Sequence, residues 1–117
     1  MILSVPVTIT FKTAKLQKIF NSRRNLVREY GEYNAARIAV RMAVLLQAPN
    51  LAAVPTGKPD RCHELKGNRR GQFAVDIVQP HRLVFRPSRD ILTQRQGRRI
   101  ELGHITAIKI LGVEDYH

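Results

Sequence analysis

The sequence predicts an α+β domain, with N-terminal helices packed on one face of a small, mainly antiparallel β-sheet. Three observations carry this reading. Residues 61–85 contain three short runs in which apolar and polar residues alternate, separated by two turns, as in strands with one buried and one wet face. Residues 12–47 instead repeat their apolar positions at helical spacing. Two further alternating runs, 5–11 and 105–111, flank these blocks.

In chain order, Val5 to Phe11 is β-branched and alternating, and Pro6 restricts it to an edge or a strand start. Leu16, Ile19 and Phe20 then sit at helix spacing, with Lys12, Lys15 and Lys18 on the wetter side. Asn21 or Ser22 caps a second helix carrying Leu26, Val27 and Tyr30, which Gly31 ends. A third helix runs from Glu32 to Gln47. Ala35, Ile38, Met42 and Leu45 form its core stripe, Arg37 and Arg41 lie on a solvated flank, and Pro49 stops it. Two prolines and a glycine make 50–60 a turn or helical scrap followed by a loop. The strand runs of 61–85 are joined by a five-residue loop at 67–71 and a short turn at Gln79, Pro80 and His81, both of hairpin length. Residues 88–99 are polar, carry four arginines and read as a loop. Gly112 is positioned to bend the last strand and aim the residues after it. No internal repeat or linker divides the chain, so residues 1–117 are read as one domain.

Alternation also assigns faces. Leu65, Phe73, Val75, Ile77, Leu83 and Phe85 are expected to share the core side, which sets Lys66, Arg82, Val84 and Arg86 on the other. If Ile108 and Ile110 face the core, Lys109 joins the cations on the open face.

The composition points the same way. Twenty Lys and Arg oppose nine Asp and Glu, a net charge of +11, which fits a partner rich in phosphate, an acidic protein or an anionic membrane. The basic charge is concentrated in residues 1–99, while the last eighteen carry one cation and three acids. No apolar run is long enough to span a bilayer, no signal-peptide pattern opens the chain, and the single Cys62 cannot form an internal disulfide. A cytoplasmic protein with no membrane partner is the expectation.

Among chemistry-bearing residues, Lys66 and Arg82 are long cations able to converge on one phosphate, Arg as a planar fork and Lys as a point charge. A merely solvated sheet face is the simpler account of the same parity. Arg69 and Arg70, in the 67–71 loop, could grip a nucleic-acid backbone, although ordinary hairpin chemistry explains them equally well. Cys62 and His63 point to opposite faces and lack further ligands at zinc spacing, so no metal and no cofactor are expected. His81 and His104 read as surface residues. A strand leading into Asp115, Tyr116 and His117 could set them beside the cationic face. There a His would be a proton carrier and a Tyr could stack on an unpaired base.

The stretches R-C-H-E-L-K-G-N-R-R-G-Q-F, P-H-R-L-V-F and I-T-A-I-K-I-L-G-V-E-D-Y-H resemble the HigB group of RelE/ParE-superfamily bacterial toxins, over roughly residues 7–117. That resemblance implies the RelE-like microbial RNase toxin fold and a ribosome-dependent endoribonuclease that cuts mRNA during translation. It implies charge stabilisation by Lys66 and Arg82, and a catalytic stretch of Asp115, Tyr116 and His117 with His117 carrying the proton. His63, Arg69, Arg70, Arg86 and Lys109 are the expected RNA contacts. The implied partners are the ribosome, mRNA and a cognate antitoxin, HigA-like and DNA-binding. One departure is that 88–99 is longer and more basic than the tight turn of compact members. A gyrase-inhibiting toxin of the ParE branch and a non-catalytic RNA-binding module remain the competing expectations.

Overall fold

The computed structural model describes residues 7–88 and 101–115. Three helices cover one face of a five-stranded mixed sheet. The strands are β1 (Thr8–Phe11), β2 (His63–Glu64), β3 (Phe73–Asp76), β4 (His81–Pro87) and β5 (Ala107–Asp115). Their order is β1-β5-β4-β3-β2. β2 to β5 pair antiparallel, and β1 runs parallel to β5 at the edge. The class and layering are those the sequence predicts.

The helices form where local chemistry dictates. Thr13 caps α1 (Ala14–Phe20) and Ser22 caps α2 (Arg23–Tyr30), each through a side-chain oxygen that accepts a backbone N–H three residues on. Gly31 separates α2 from α3 (Glu32–Gln47) at φ 87°, a conformation glycine adopts without a Cβ penalty. Ala35, Ile38 and Leu45 of α3 bury against Phe73, Val75, Leu83, Phe85, Ile108 and Ile110 of the sheet.

Two expectations fail here. Leu65 is not on the core side. β2 ends at Glu64, and its register, with His63 opposite Ala74, turns Leu65 onto the far face, where it packs with Ala74, Val84 and Leu111. Parity therefore does not carry Lys66 onto the open face. Arg41 is not solvated either. It is 4% exposed, and its guanidinium donates to the carbonyls of Asp76 (2.6 Å) and Pro59 (3.2 Å). At one turn from both Ile38 and Leu45 it belongs to the inner stripe, and two main-chain acceptors satisfy the charge that its position buries.

Near its end β5 departs from simple alternation. Val84 pairs with Gly112 but Phe85 pairs with Ile110, so Leu111 is an extra residue and Gly112 sits at φ 148°. The register shift falls where Gly112 stands, and β5 continues to Asp115, beyond the run that alternation marks.

Arg41→Ala should cost about 2–4 kcal/mol, since it opens a cavity where a buried side chain stood and removes two hydrogen bonds to main-chain carbonyls, whereas Arg37→Ala should stay within about 0.5 kcal/mol. Chemical denaturation of the two variants checks this contrast.

Candidate functional site on the open sheet face

The face away from the helices is laid out in three bands set by strand register. Asp76, Arg82 and Glu114 stand abreast on β3, β4 and β5. Ala74, Val84 and Gly112 form the next row, and with Leu65 and Leu111 they make a small apolar strip in which Ala74 and Val84 are fully buried. Thr10, Lys109 and Arg86 then line up across β1, β5 and β4. Ile108 and Ile110 do face the core, and Lys109 accordingly lies on the open side with Arg82 and Arg86.

The charged band is extended at both ends. Arg61 reaches Asp76 with Nε 2.6 Å from Oδ2. Arg69 forks onto Glu114, with Nη1 to Oε1 and Nη2 to Oε2 both at 2.7 Å, while its Nε and Nη2 also meet Gln72 Oε1 at 3.0 and 2.8 Å. Arg82 approaches the same carboxylate, with Nη2 3.6 Å from Oε1. Signs thus alternate along Arg61, Asp76, Arg82, Glu114 and Arg69. The bidentate hydrogen bond from Arg69, aided by Arg82, holds the Glu114 carboxyl below its ordinary range, and the same contact raises the Arg69 guanidinium.

Arg61 has φ 47°, unusual for a residue with a Cβ. Its side chain is fixed by Asp76, and its carbonyl accepts from His63 Nδ1 at 2.6 Å. A carbonyl can only accept, so Nδ1 carries a proton and the neutral ring presents its lone pair at Nε2. Asp115 lies opposite His81 in the register, with Oδ1 3.5 Å from Nε2 of that ring. The main-chain N–H of Gly71 donates to Glu64 Oε2 at 2.9 Å, closing the 67–71 turn back on β2.

The candidates separate accordingly. Arg82, with its side chain 14% exposed, stands between Asp76 and Glu114 at the centre of the charged band. Asp115 lies at the end of the strand beside it. Arg86 and Lys109 lie farther along the same face. Lys66 and Arg70 are exposed on the 66–70 turn, and among the described residues neither forms an ion pair. Arg69 is not a loose tip cation. It is committed to Glu114 and Gln72 because the 3-10 turn Gly67–Arg69 folds it back over the sheet. Tyr116, His117 and the arginines of 89–99 lie outside the described residues. Sequence reasoning missed Glu114 and Asp76, whose signal would have been strand register, and Arg61, which lies before β2 and carried no local signal. Cys62 is buried in the main core, and burial, with Asp60 adding to it, pushes its thiol up to about 12, which leaves it unsuited to act as a nucleophile.

Because the Glu114 carboxyl titrates lower in the folded chain than unfolded, its contribution to stability is present above the unfolded carboxylate range, about pH 4.3, and is lost as pH falls through the folded value. Glu114→Gln should therefore destabilise the chain modestly at pH 7, by about 1 kcal/mol or less for a partly exposed pair, with the difference shrinking in acid. Denaturant titrations at several pH values report this.

Neither a protein-family model nor a curated protein matches the chain. Two solved structures share its shape. A YoeB/ParE toxin from Agrobacterium tumefaciens aligns over 94% of this chain and 99% of its own, with a TM-score of 0.55 at 12% identity. The YoeB dimer from Staphylococcus aureus aligns over 95% of this chain and 97% of its own, with a TM-score of 0.54 at 17% identity. At these identities the likeness is one of fold, and the fold that the chain shares over most of its length is that of YoeB/ParE toxins.

Proposed function

We propose that this chain is the toxin of a type II toxin–antitoxin module, a HigB-like member of the RelE/ParE superfamily that cuts mRNA on the ribosome and so blocks translation in the cytoplasm. The observation that carries this reading is the register of β4 and β5. It brings the backbone of Asp115 opposite His81 and one residue along from Arg82, which is 33 positions away in sequence. The D-Y-H stretch therefore begins at the strand end that carries the cation expected to meet the phosphate, although the Asp115 side chain itself alternates to the other face with His81. The shared fold with YoeB/ParE toxins supports the same reading.

RNA brings its own nucleophile. The 2′-hydroxyl attacks the adjacent phosphorus as its proton passes to a base. The bond from phosphorus to the 5′ oxygen then breaks and that oxygen takes up a proton, leaving a 2′,3′-cyclic phosphate and a 5′-hydroxyl. The protein must align the 2′ oxygen, move two protons and neutralise charge on the phosphoryl oxygens. His117 is assigned the proton transfers and Asp115 the support of its charged form. Tyr116 is assigned a place against an unpaired base, and Lys66 and Arg82 the charge. His63, Arg70, Arg86 and Lys109 are assigned contacts along the RNA. The net charge of +11 suits an acidic antitoxin, HigA-like and DNA-binding, as a separate protein partner.

His117→Ala should slow single-turnover cleavage about a hundredfold to ten-thousandfold while leaving ribosome binding nearly intact. Lys66→Ala and Arg82→Ala should lower the chemical step more than affinity, because the charge they meet grows in the transition state. Cell-free translation with transcript mapping tests this. Cleavage at full rate by His117→Ala overturns the assignment, and arrest of DNA supercoiling without any transcript cleavage indicates the gyrase-directed alternative.

A further inference from the structure

We propose that Arg69 and Glu114 are a pair of positioning residues, whose bridge locks the turn following Lys66 to the end of β5 and so fixes the strand end at Asp115 relative to Arg82. This rests on the ribonuclease reading above and assigns Arg69 a role different from gripping RNA.

The donor inventory decides between the two roles. A guanidinium has five N–H groups. Arg69 spends its Nε and one Nη2 hydrogen on Gln72, and its other Nη2 hydrogen and one on Nη1 on Glu114. One N–H is left for a phosphate, and a bidentate grip on RNA would require breaking the tie to Glu114 or to Gln72.

The turn is itself fixed at both ends. Arg69 N–H donates to the Lys66 carbonyl at 3.3 Å, Gln72 N–H donates to the Arg69 carbonyl at 3.0 Å, and Gly71 N–H donates to Glu64 at 2.9 Å. Across a gap of 45 residues, the Arg69 fork is the side-chain link from this turn to β5. Its target is the residue preceding Asp115, and that residue faces the turn because the bulge at Gly112 has reset the alternation. Arg82 touches the same carboxylate, so one anionic group indexes two cations and the strand end at once. Near-attack geometry tolerates little error, and a displacement of about 1 Å can cost about a hundredfold in rate.

The experiment combines Arg69→Lys, Glu114→Gln and the double variant with measurements of single-turnover cleavage, the salt dependence of ribosome binding and amide hydrogen exchange over residues 112–115. Lysine keeps the charge but loses the fork, so the pair predicts a roughly ten- to hundredfold rate loss for Arg69→Lys. Glu114→Gln should match it, and the double variant should be no worse than either single one. Binding and its salt slope should not move, and exchange at 112–115 should quicken. A phosphate contact predicts instead that Arg69→Lys cleaves at the normal rate and that Arg69→Ala flattens the salt slope by nearly one unit, as loss of the exposed Arg70 would. That outcome overturns the proposal. If the wild type does not cleave at all, the ribonuclease reading fails by itself. Exchange then decides the clamp, with unchanged protection in Arg69→Lys and Glu114→Gln refuting it.

Discussion

One extra residue in β5, opposite the junction of Val84 and Phe85, lets the strand keep Ile108 and Ile110 in the core and still present Glu114 to the open face. Without it, strict alternation from Ile110 would turn Glu114 inward and Val113 outward. Gly112 at φ 148° accommodates the shift, and the layout of charges on the open face depends on it. The bulge sets Glu114 opposite Arg82, gives Arg69 a carboxylate to fork and leaves Asp115 against His81. A local irregularity in one strand thus determines which charges meet.

The open face is less a bare cationic sheet than a balanced array. Two carboxylates interleave with three guanidiniums, and a dry strip of Ala74, Val84, Leu65 and Leu111 separates them from Arg86 and Lys109. Such an arrangement restrains long side chains that would otherwise lose much rotamer freedom when they meet a ligand. Electrostatic work on a phosphate is most effective when donors are already aimed and need no reorganisation. Under the proposed function that aiming would fall to Arg61, Asp76 and Glu114, while Arg41 anchors β3 from below through the Asp76 carbonyl.

What could be read from the chain depended on the range of each interaction. Ser22 and Gly31 act on their own neighbours, and the bounds of α3 from Glu32 to Gln47 follow from its own periodicity and Pro49, so these were legible. The core side chains of β3, β4 and β5 were legible because alternation holds inside a continuous strand. Leu65 was misplaced because β2 is only two residues long, and the chain beyond Glu64 obeys a turn rather than a strand. Arg41 was misjudged because the carbonyls that satisfy it belong to residues 18 and 35 positions away. Glu114 went unnoticed because its partner is 45 residues distant, and no local pattern announces a pairing across the sheet. The candidate cations came from composition and resemblance, while their pairing depends on strand register for Arg82 and on the path of the adjoining turns for Arg61 and Arg69.

The proposed function turns on chemistry at an RNA phosphate in which the substrate supplies the nucleophile. Ribosomes programmed with two mRNAs, identical except that one carries a 2′-deoxy sugar at the mapped cleavage position, put this to the test. The all-ribose message should be cut, leaving a 2′,3′-cyclic phosphate, and the 2′-deoxy message should stay intact at that position. Equal cleavage of both messages would contradict the proposed chemistry.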